Sequence, residues 1–240
     1  MKFIAALGLA CAVFTAVPAA AQDALTFNAS LTSDYRYRGI SQSRLKPALA
    51  GGVDYSLASG FYVGAWLSTI KWIKDARGSA NVEVDLYGGY KGEIQKDLSY
   101  DVGVLTYQYP RHKLSPSPNT TELYGALTFG PATLKYSHSV TNLFGFTDSK
   151  NSGYVDLSAS FDVGGIAIAP HVGYQKVKGN SNASYADYSL TASKDFDGLL
   201  LSGALVYADV KKIGGVPAYA SPSGRNLGRA GLVLTAKKTF

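Results

Sequence analysis

The sequence predicts an all-β protein, a transmembrane antiparallel up-and-down β-barrel of about twelve strands with both termini on the periplasmic side. Three observations carry that expectation. Amphipathic segments of about ten residues recur from Leu25 to Phe240. The connections between them alternate long and short along the chain. Charged residues make up only 17% of the chain while glycine (26) and tyrosine (17) are abundant, which suits a wall crowded with small residues and edged by interfacial aromatics.

The first segment sets the pattern. In Leu25-Thr26-Phe27-Asn28-Ala29-Ser30-Leu31-Thr32 odd positions are apolar and even positions polar, the period of a strand with one apolar and one wet face. Similar segments place strands at 24–33, 47–57, 60–69, 81–92, 97–108, 120–129, 132–140, 152–162, 166–175, 184–194, 198–208 and 229–240. Tight turns fall at Ala58-Ser59, Glu93 to Lys96, Gly130-Pro131, Val163 to Gly165 and Asp195 to Asp197. The long connections run from Asp34 to Lys46, Ile70 to Ala80, Tyr109 to Asn119, Thr141 to Asn151, Lys176 to Ala183 and Asp209 to Gly228. Sorting of this kind puts all short turns at one rim and all long loops at the other.

Face assignments favour a bilayer over a second sheet. Leu49, Val53 and Tyr55, then Phe61, Val63, Ala65 and Leu67, then Val82, Val84, Leu86 and Tyr90 share one apolar face. Opposite them lie Asp54, Ser56, Glu83, Asp85 and Lys91. Charges inside a dry sandwich would be costly, whereas a barrel turns them toward a wet lumen. Beside the short turns, Tyr55, Phe61, Tyr90, Tyr100, Phe129, Phe161 and Phe240 are placed to form a periplasmic aromatic girdle.

The ends carry separate signals. Met1-Lys2, an apolar run from Phe3 to Val17 and the small residues to Ala21 have the form of a secretory signal peptide. Cleavage after Ala21 would leave 22–240 as one outer-membrane β-barrel domain. The only cysteine, Cys11, and the only methionine, Met1, would leave with it, removing disulfides and cysteine chemistry from the mature chain. Phe240 with Ala236, Leu234 and Leu232 at steps of two resembles the carboxy-terminal signal read by the barrel-assembly machinery, although Lys238 stands where that pattern has an apolar residue.

Candidate functional residues follow from the faces. Asp54, Glu83, Asp85, Asp101, Glu122, Asp156 and Asp187, with Lys91, Lys135, Arg229 and Lys237, fall on the lumen face as pore-lining candidates or as internal ion-paired struts. The inward small residues Ala48, Ala50, Gly52, Gly64, Gly89, Gly103 and Gly173 are expected to keep the wall thin. Among the basic residues of the long loops are Arg36, Arg38, Arg44, Lys46, Lys71, Lys74, Arg77, Arg111 and Lys113, against Asp34, Asp75, Asp148 and Asp209. Such loops suit the phosphates of lipopolysaccharide or the gathering of anions at a mouth. With exposed loop charge screened by salt, the acidic lumen is expected to give a weak cation preference, with Glu83 and Asp85 contributing. His112, His138 and His171 lack metal-site spacing, and no Ser-His-acid set stands out. Neither an enzyme nor a cofactor nor a nucleic-acid partner is expected.

The first connection and its surroundings add a resemblance. Ser33-Asp34-Tyr35-Arg36-Tyr37-Arg38-Gly39-Ile40-Ser41-Gln42-Ser43, Lys46-Pro47-Ala48, Gly60-Phe61-Tyr62-Val63-Gly64-Ala65-Trp66, Glu83-Val84-Asp85-Leu86-Tyr87-Gly88-Gly89-Tyr90 and Gly103-Val104-Leu105-Thr106-Tyr107-Gln108-Tyr109-Pro110 resemble, in order, landmarks of the TorF-type porin family. These are outer-membrane barrels of Gram-negative bacteria formerly grouped as conserved hypothetical proteins. The resemblance implies an outer-membrane channel for small hydrophilic solutes. The alternatives are a non-conducting structural or surface barrel and, further off, an outer-membrane phospholipase or protease.

Overall fold

The computed structural model describes residues 23–240, preceded only by two paired two-residue strands, Leu7–Gly8 and Cys11–Ala12. The expected signal peptide and its cleavage point otherwise lie outside the described residues. Twelve strands form the body: β1 (Ala24–Thr32), β2 (Ala48–Ser56), β3 (Phe61–Thr69), β4 (Val82–Gln95), β5 (Leu98–Gln108), β6 (Thr120–Phe129), β7 (Ala132–Ser139), β8 (Gly153–Ala159, resumed as Phe161–Val163), β9 (Ile166–Lys176), β10 (Tyr185–Phe196), β11 (Leu199–Asp209) and β12 (Gly231–Thr239). Each pairs antiparallel with the next, and β12 pairs back onto β1, so the sheet closes on itself.

Registers fix the dimensions. Following paired residues once around the ring returns to β1 displaced by about 16 residues, which for twelve strands means a tilt of roughly 45° and a backbone diameter of about 24 Å. Alternation then decides which side chains face out. Leu25, Phe27, Leu31, Leu49, Phe61, Val63, Leu67, Leu123, Leu127, Leu134, Leu190, Leu205, Leu232 and Leu234 are all exposed on the outer wall. An apolar wall of this extent suits lipid hydrocarbon better than water.

The short turns are chosen by local chemistry. Gly164-Gly165 (φ 64° and 81°) and Asp197-Gly198 (φ 52° and 82°) place both central residues in the left-handed region, as a two-residue hairpin with the sheet's twist requires. Asp162 and Asp195 accept the N–H of Gly165 and Gly198 at 3.1 and 2.7 Å, which fixes each turn. Three boundaries depart from expectation by two residues or more, one of them β10, which runs on to Phe196 so that its turn is Asp197-Gly198. β4 runs on through a bulge between Glu93 and Gln95, so its turn is Lys96-Asp97. β12 starts at Gly231 rather than at 229, where the Arg229 carbonyl accepts from Arg36 Nη1 of the first connection at 3.0 Å.

Both ends of the described chain lie at the short-turn rim. Asp23 accepts the Ala58 N–H, and Phe240 exchanges backbone hydrogen bonds with Phe27. At the opposite rim the long connections fold over and into the barrel. The second of them carries a one-turn helix, α1 (Trp72–Asp75), whose Ile73 is fully buried. Tyr35, Ala48, Ile70, Ile73, Ala80, Tyr107 and Tyr109 form the largest buried apolar cluster, on the β2–β6 side, and two smaller ones, Ile40 with Tyr185, Ala208 and Leu227, and Leu143 with Val177 and Ala183, pack the same rim on the other side.

Candidate functional site

The first long connection, 33–47, enters the lumen. Arg36–Tyr37 pairs with Ile40–Ser41 in a small hairpin that turns through Arg38 and Gly39 (φ 45° and 76°). Asp34 organises its base: its carboxylate accepts from Arg36 Nε at 2.6 Å, Ser41 Oγ at 2.5 Å and Ser43 Oγ at 3.1 Å. Arg36 also donates to the carbonyls of Gly39, Leu227 and Arg229, which ties the hairpin to the last long connection. The tip then presses on the far wall. A Cβ on Gly39 would lie 2.8 Å from Asp187 Cβ and 3.0 Å from Ala208 Cβ, so both the left-handed backbone and the space require glycine there.

Arg38 spans the interior. Its guanidinium forks onto both oxygens of Glu122 on β6, at 3.0 and 2.7 Å, and donates to Gln175 Oε1 on β9 at 2.6 Å. It lies 4.1 Å over the ring of Tyr154 on β8. Burial draws its pKa down, but the Glu122 carboxylate holds it well above its ordinary value, so it stays cationic. Tyr35 in the same connection donates to Glu83 Oε1 at 2.5 Å. Burial first, then the Glu83 charge, push the Tyr35 and Tyr109 hydroxyls well above the ordinary phenol value. They therefore remain neutral donors to that carboxylate.

Arg36 (5% exposed) and Arg38 (7%) are therefore not surface residues, a correction to the loop assignment. Each finds a carboxylate and further acceptors inside, which compensates removal from water. Arg44, Lys46, Lys71, Lys74, Arg77, Arg111 and Lys113 do lie exposed on the loops, with Arg44 paired to Asp75. Arg229 lies outside β12 and is exposed, so it is also displaced from the lumen set.

The remaining lumen candidates divide in two. Glu83 (2% exposed) and Asp85 (8%) are buried, Glu83 being covered by Tyr35, and Glu122 is taken up by Arg38. Asp54, Lys91, Lys135 and Lys237 are half-buried, and Asp101 is hydrogen-bonded to Tyr62. Asp156 and Asp187 flank His171, whose Nε2 is 2.8 Å from Asp156 Oδ2 and whose Nδ1 is 3.7 Å from Asp187 Oδ1. Phe240 is exposed at the rim. His112 and His138 lie elsewhere, beside Ser117 and Asn151. Among the described residues no group of three or more His, Cys, Asp or Glu is arranged to hold a metal.

Inward tyrosines form a second layer that the sequence reading did not assign. Tyr87 lies across its cross-strand partner Gly64 and donates to Asp54, the partner of Gly64 on the next strand, at 2.5 Å. Tyr62 and Tyr124 approach from opposite sides over the paired Gly89 and Gly103 until their hydroxyls meet, and Tyr62 donates to Asp101 at 2.6 Å. Tyr154 covers Gly173 and donates to Asp187 at 3.0 Å. Gly64, Gly89, Gly103 and Gly173 thus seat phenol rings, where thin wall was expected. The available signal was an aromatic standing in the polar phase of a strand: Tyr62 in β3, Tyr87 in β4 and Tyr124 in β6.

Below the hairpin, toward the short-turn rim, a cavity of about 110 Å³ remains against β8–β12. Arg38 and Gly39 cap it, and its lining mixes the hydroxyls of Ser158, Thr191, Ser193, Ser202 and Thr235 and the His171–Asp187 pair with apolar side chains such as Leu200, Val206 and Val233. The interior is thus asymmetric: aromatic and filled along β2–β6, with a cavity of mixed hydroxyl and apolar lining beneath the hairpin along β8–β12.

Solved barrels share this architecture. The chain is similar to the KdgM porin (TM-score 0.57, 8% identity, covering 90% of this chain and 97% of that one). It is likewise similar to the NanC porin (0.54, 11%, 90% and 99%) and to an outer membrane channel from Pseudomonas putida F1 (0.54, 12%, 97% and 100%). At these identities the likeness is one of fold. No curated protein matches the chain. A family described as "Bacterial protein of unknown function (Gcw_chp)" matches residues 16–240, nearly the whole sequence. The chain, with its closed barrel and inserted first connection, is a member of the Gcw_chp family.

Proposed function

We propose that the protein is a bacterial outer-membrane channel through which small hydrophilic solutes diffuse, in keeping with the TorF-type resemblance. The observation that carries this reading is one wall with two chemistries: apolar side chains outside, and inside charged and hydroxyl side chains around a cavity beneath Arg38. Its likeness in fold to porins supports the reading. Residues 1–21 are the signal peptide removed on export, and 22–240 form the barrel domain. The short turns and both chain ends face the periplasm, and the long loops face outward, their exposed basic residues meeting lipopolysaccharide phosphates. Phe240 serves the barrel-assembly machinery. The protein acts without catalysis.

Ion preference is weaker than the sequence alone implied. Glu83 and Glu122 are engaged on the packed side, Asp85 is buried there with its Oδ1 unpartnered, and the acids left in the wall, Asp54, Asp101, Asp156 and Asp187, stand with Lys91, Lys135 and Lys237. Planar-bilayer recording of refolded mature protein tests both points. Stepwise conductance is expected, with a reversal potential in a salt gradient close to zero and unchanged by Glu83→Gln with Asp85→Asn. Silence at all voltages would refute the channel. A second reading, a non-conducting barrel, is favoured by one observation, the hairpin lying across the lumen.

A further inference from the structure

Resting on the channel reading, we infer that Arg38 determines the aperture: it latches the first-connection hairpin across the lumen and narrows passage to the side of the cavity along β8–β12. The geometry supplies each part. The hairpin base is rooted at β1–β2 through Asp34, while its tip reaches residues contributed by β6, β9, β10 and β11. Arg38 is the tip's only charged side chain, and Glu122 with Gln175 hold it by three donated hydrogen bonds. Gly39 lets the backbone lie against Asp187 and Ala208. On the other flank Tyr37 donates to, or accepts from, Tyr107 at 2.6 Å, and both rings pack edge-on with Phe144. That flank is sealed by aromatics. The cavity lies on the opposite flank, under Arg38 and Gly39, and the loop rim above it is packed by Ile40, Tyr185, Ala208 and Leu227.

The latch has a defined weak point. A buried ion pair that loses one member leaves the other without its counter-charge, and the cheapest relief is for the stranded group to reach water. The hairpin can provide that relief by swinging out of the lumen. Glu122→Gln strands the cation and Arg38→Ala strands the anion, so both variants free the tip although they change lumen charge in opposite directions. Gly39→Ala frees it by a separate route, since its Cβ meets Asp187 and Ala208 and its φ of 76° disfavours a side chain.

The test records unit conductance and reversal potential for the wild type and these three variants, each verified as a folded barrel by heat-modifiable mobility. Clearing the hairpin from a lumen of about 24 Å backbone diameter is expected to raise unit conductance at least about twofold in all three variants. Reversal potentials should shift toward anions in Glu122→Gln and toward cations in Arg38→Ala. A silent wild type with conducting variants overturns the proposal, because the latched hairpin then leaves no passage beside it. A conducting wild type with unchanged variants overturns the latch and leaves the channel standing. Conductance that rises in one charge variant and falls in the other reports charge alone, and also overturns it. Silence in every protein overturns the channel reading and the latch together.

Discussion

Placing a methyl group at Gly103 tests whether the tyrosine–glycine seats stabilise the barrel. Gly103 on β5 is paired with Gly89 on β4 and with Tyr124 on β6. A Cβ there would sit 2.5 Å from Tyr124 Oη and 2.6 Å from the Gly88 carbonyl oxygen. The phenol can swing away, but the carbonyl belongs to the neighbouring strand and cannot move without disturbing the ladder. Overpacking of this kind costs about 1–3 kcal/mol. Displacing Tyr124 also unsettles Tyr62, whose hydrogen bond to the buried Asp101 is of the charged class, worth about 1.5–3 kcal/mol. Alanine's lower chain entropy returns about 0.5–1 kcal/mol, so Gly103→Ala should lose about 2–5 kcal/mol. Gly125→Ala is the control: on outward-facing β6 its Cβ would meet only Val102 Cγ1, at 3.9 Å, and it should gain up to about 1 kcal/mol. Urea unfolding in phospholipid vesicles, followed by the fluorescence of the two tryptophans, measures both. A Gly103→Ala barrel within about 0.5 kcal/mol of wild type, or an equal loss in Gly125→Ala, would refute the argument.

Two further outcomes are expected. With the long connections outward, an impermeant thiol reagent applied to whole cells should label Ser115→Cys and spare Ser59→Cys; equal labelling would reverse or abolish that topology. Deleting Phe240 removes both of its backbone hydrogen bonds to Phe27 and should lower the heat-modifiable fraction in outer membranes while export across the inner membrane continues, and unchanged assembly would show that the terminal residue is dispensable.

Strand order and turn positions were legible because each depends on neighbours in sequence. Alternation such as Leu25 to Thr32 needs one strand, and Gly164-Gly165 or Asp197-Gly198 needs only its own backbone. The interior was legible only in part. Arg38 and Glu122 are 84 residues apart, and Arg38 and Gln175 137 apart, so the pattern that marks a loop arginine cannot reveal that its partner is inside the barrel. Within the loop a signal did exist. Asp34, Arg36 and Arg38 alternate with Tyr35 and Tyr37 ahead of Gly39, the period of a hairpin with a glycine-bearing tip. The seats at Gly64 and Gly89 were misread for a related reason. A strand viewed alone shows an empty position, and the ring that fills it comes from the strand alongside.

The steep strand tilt has a bearing on which membrane can hold this protein. At about 3.3 Å per residue and roughly 45°, the nine-residue strands β1, β2, β3 and β12 lift about 21 Å along the barrel axis and the eleven-residue strands β5, β9 and β11 about 26 Å. An ordinary bilayer offers about 30 Å of hydrocarbon, and the bacterial outer membrane is thinner than average. In a thick bilayer the lipids around this wall would have to compress by several ångströms along the whole circumference. A thin one receives it with little deformation. Hydrophobic mismatch therefore favours a thin bilayer over an ordinary one, and the same registers that set the lumen's width also bias which membrane holds the barrel.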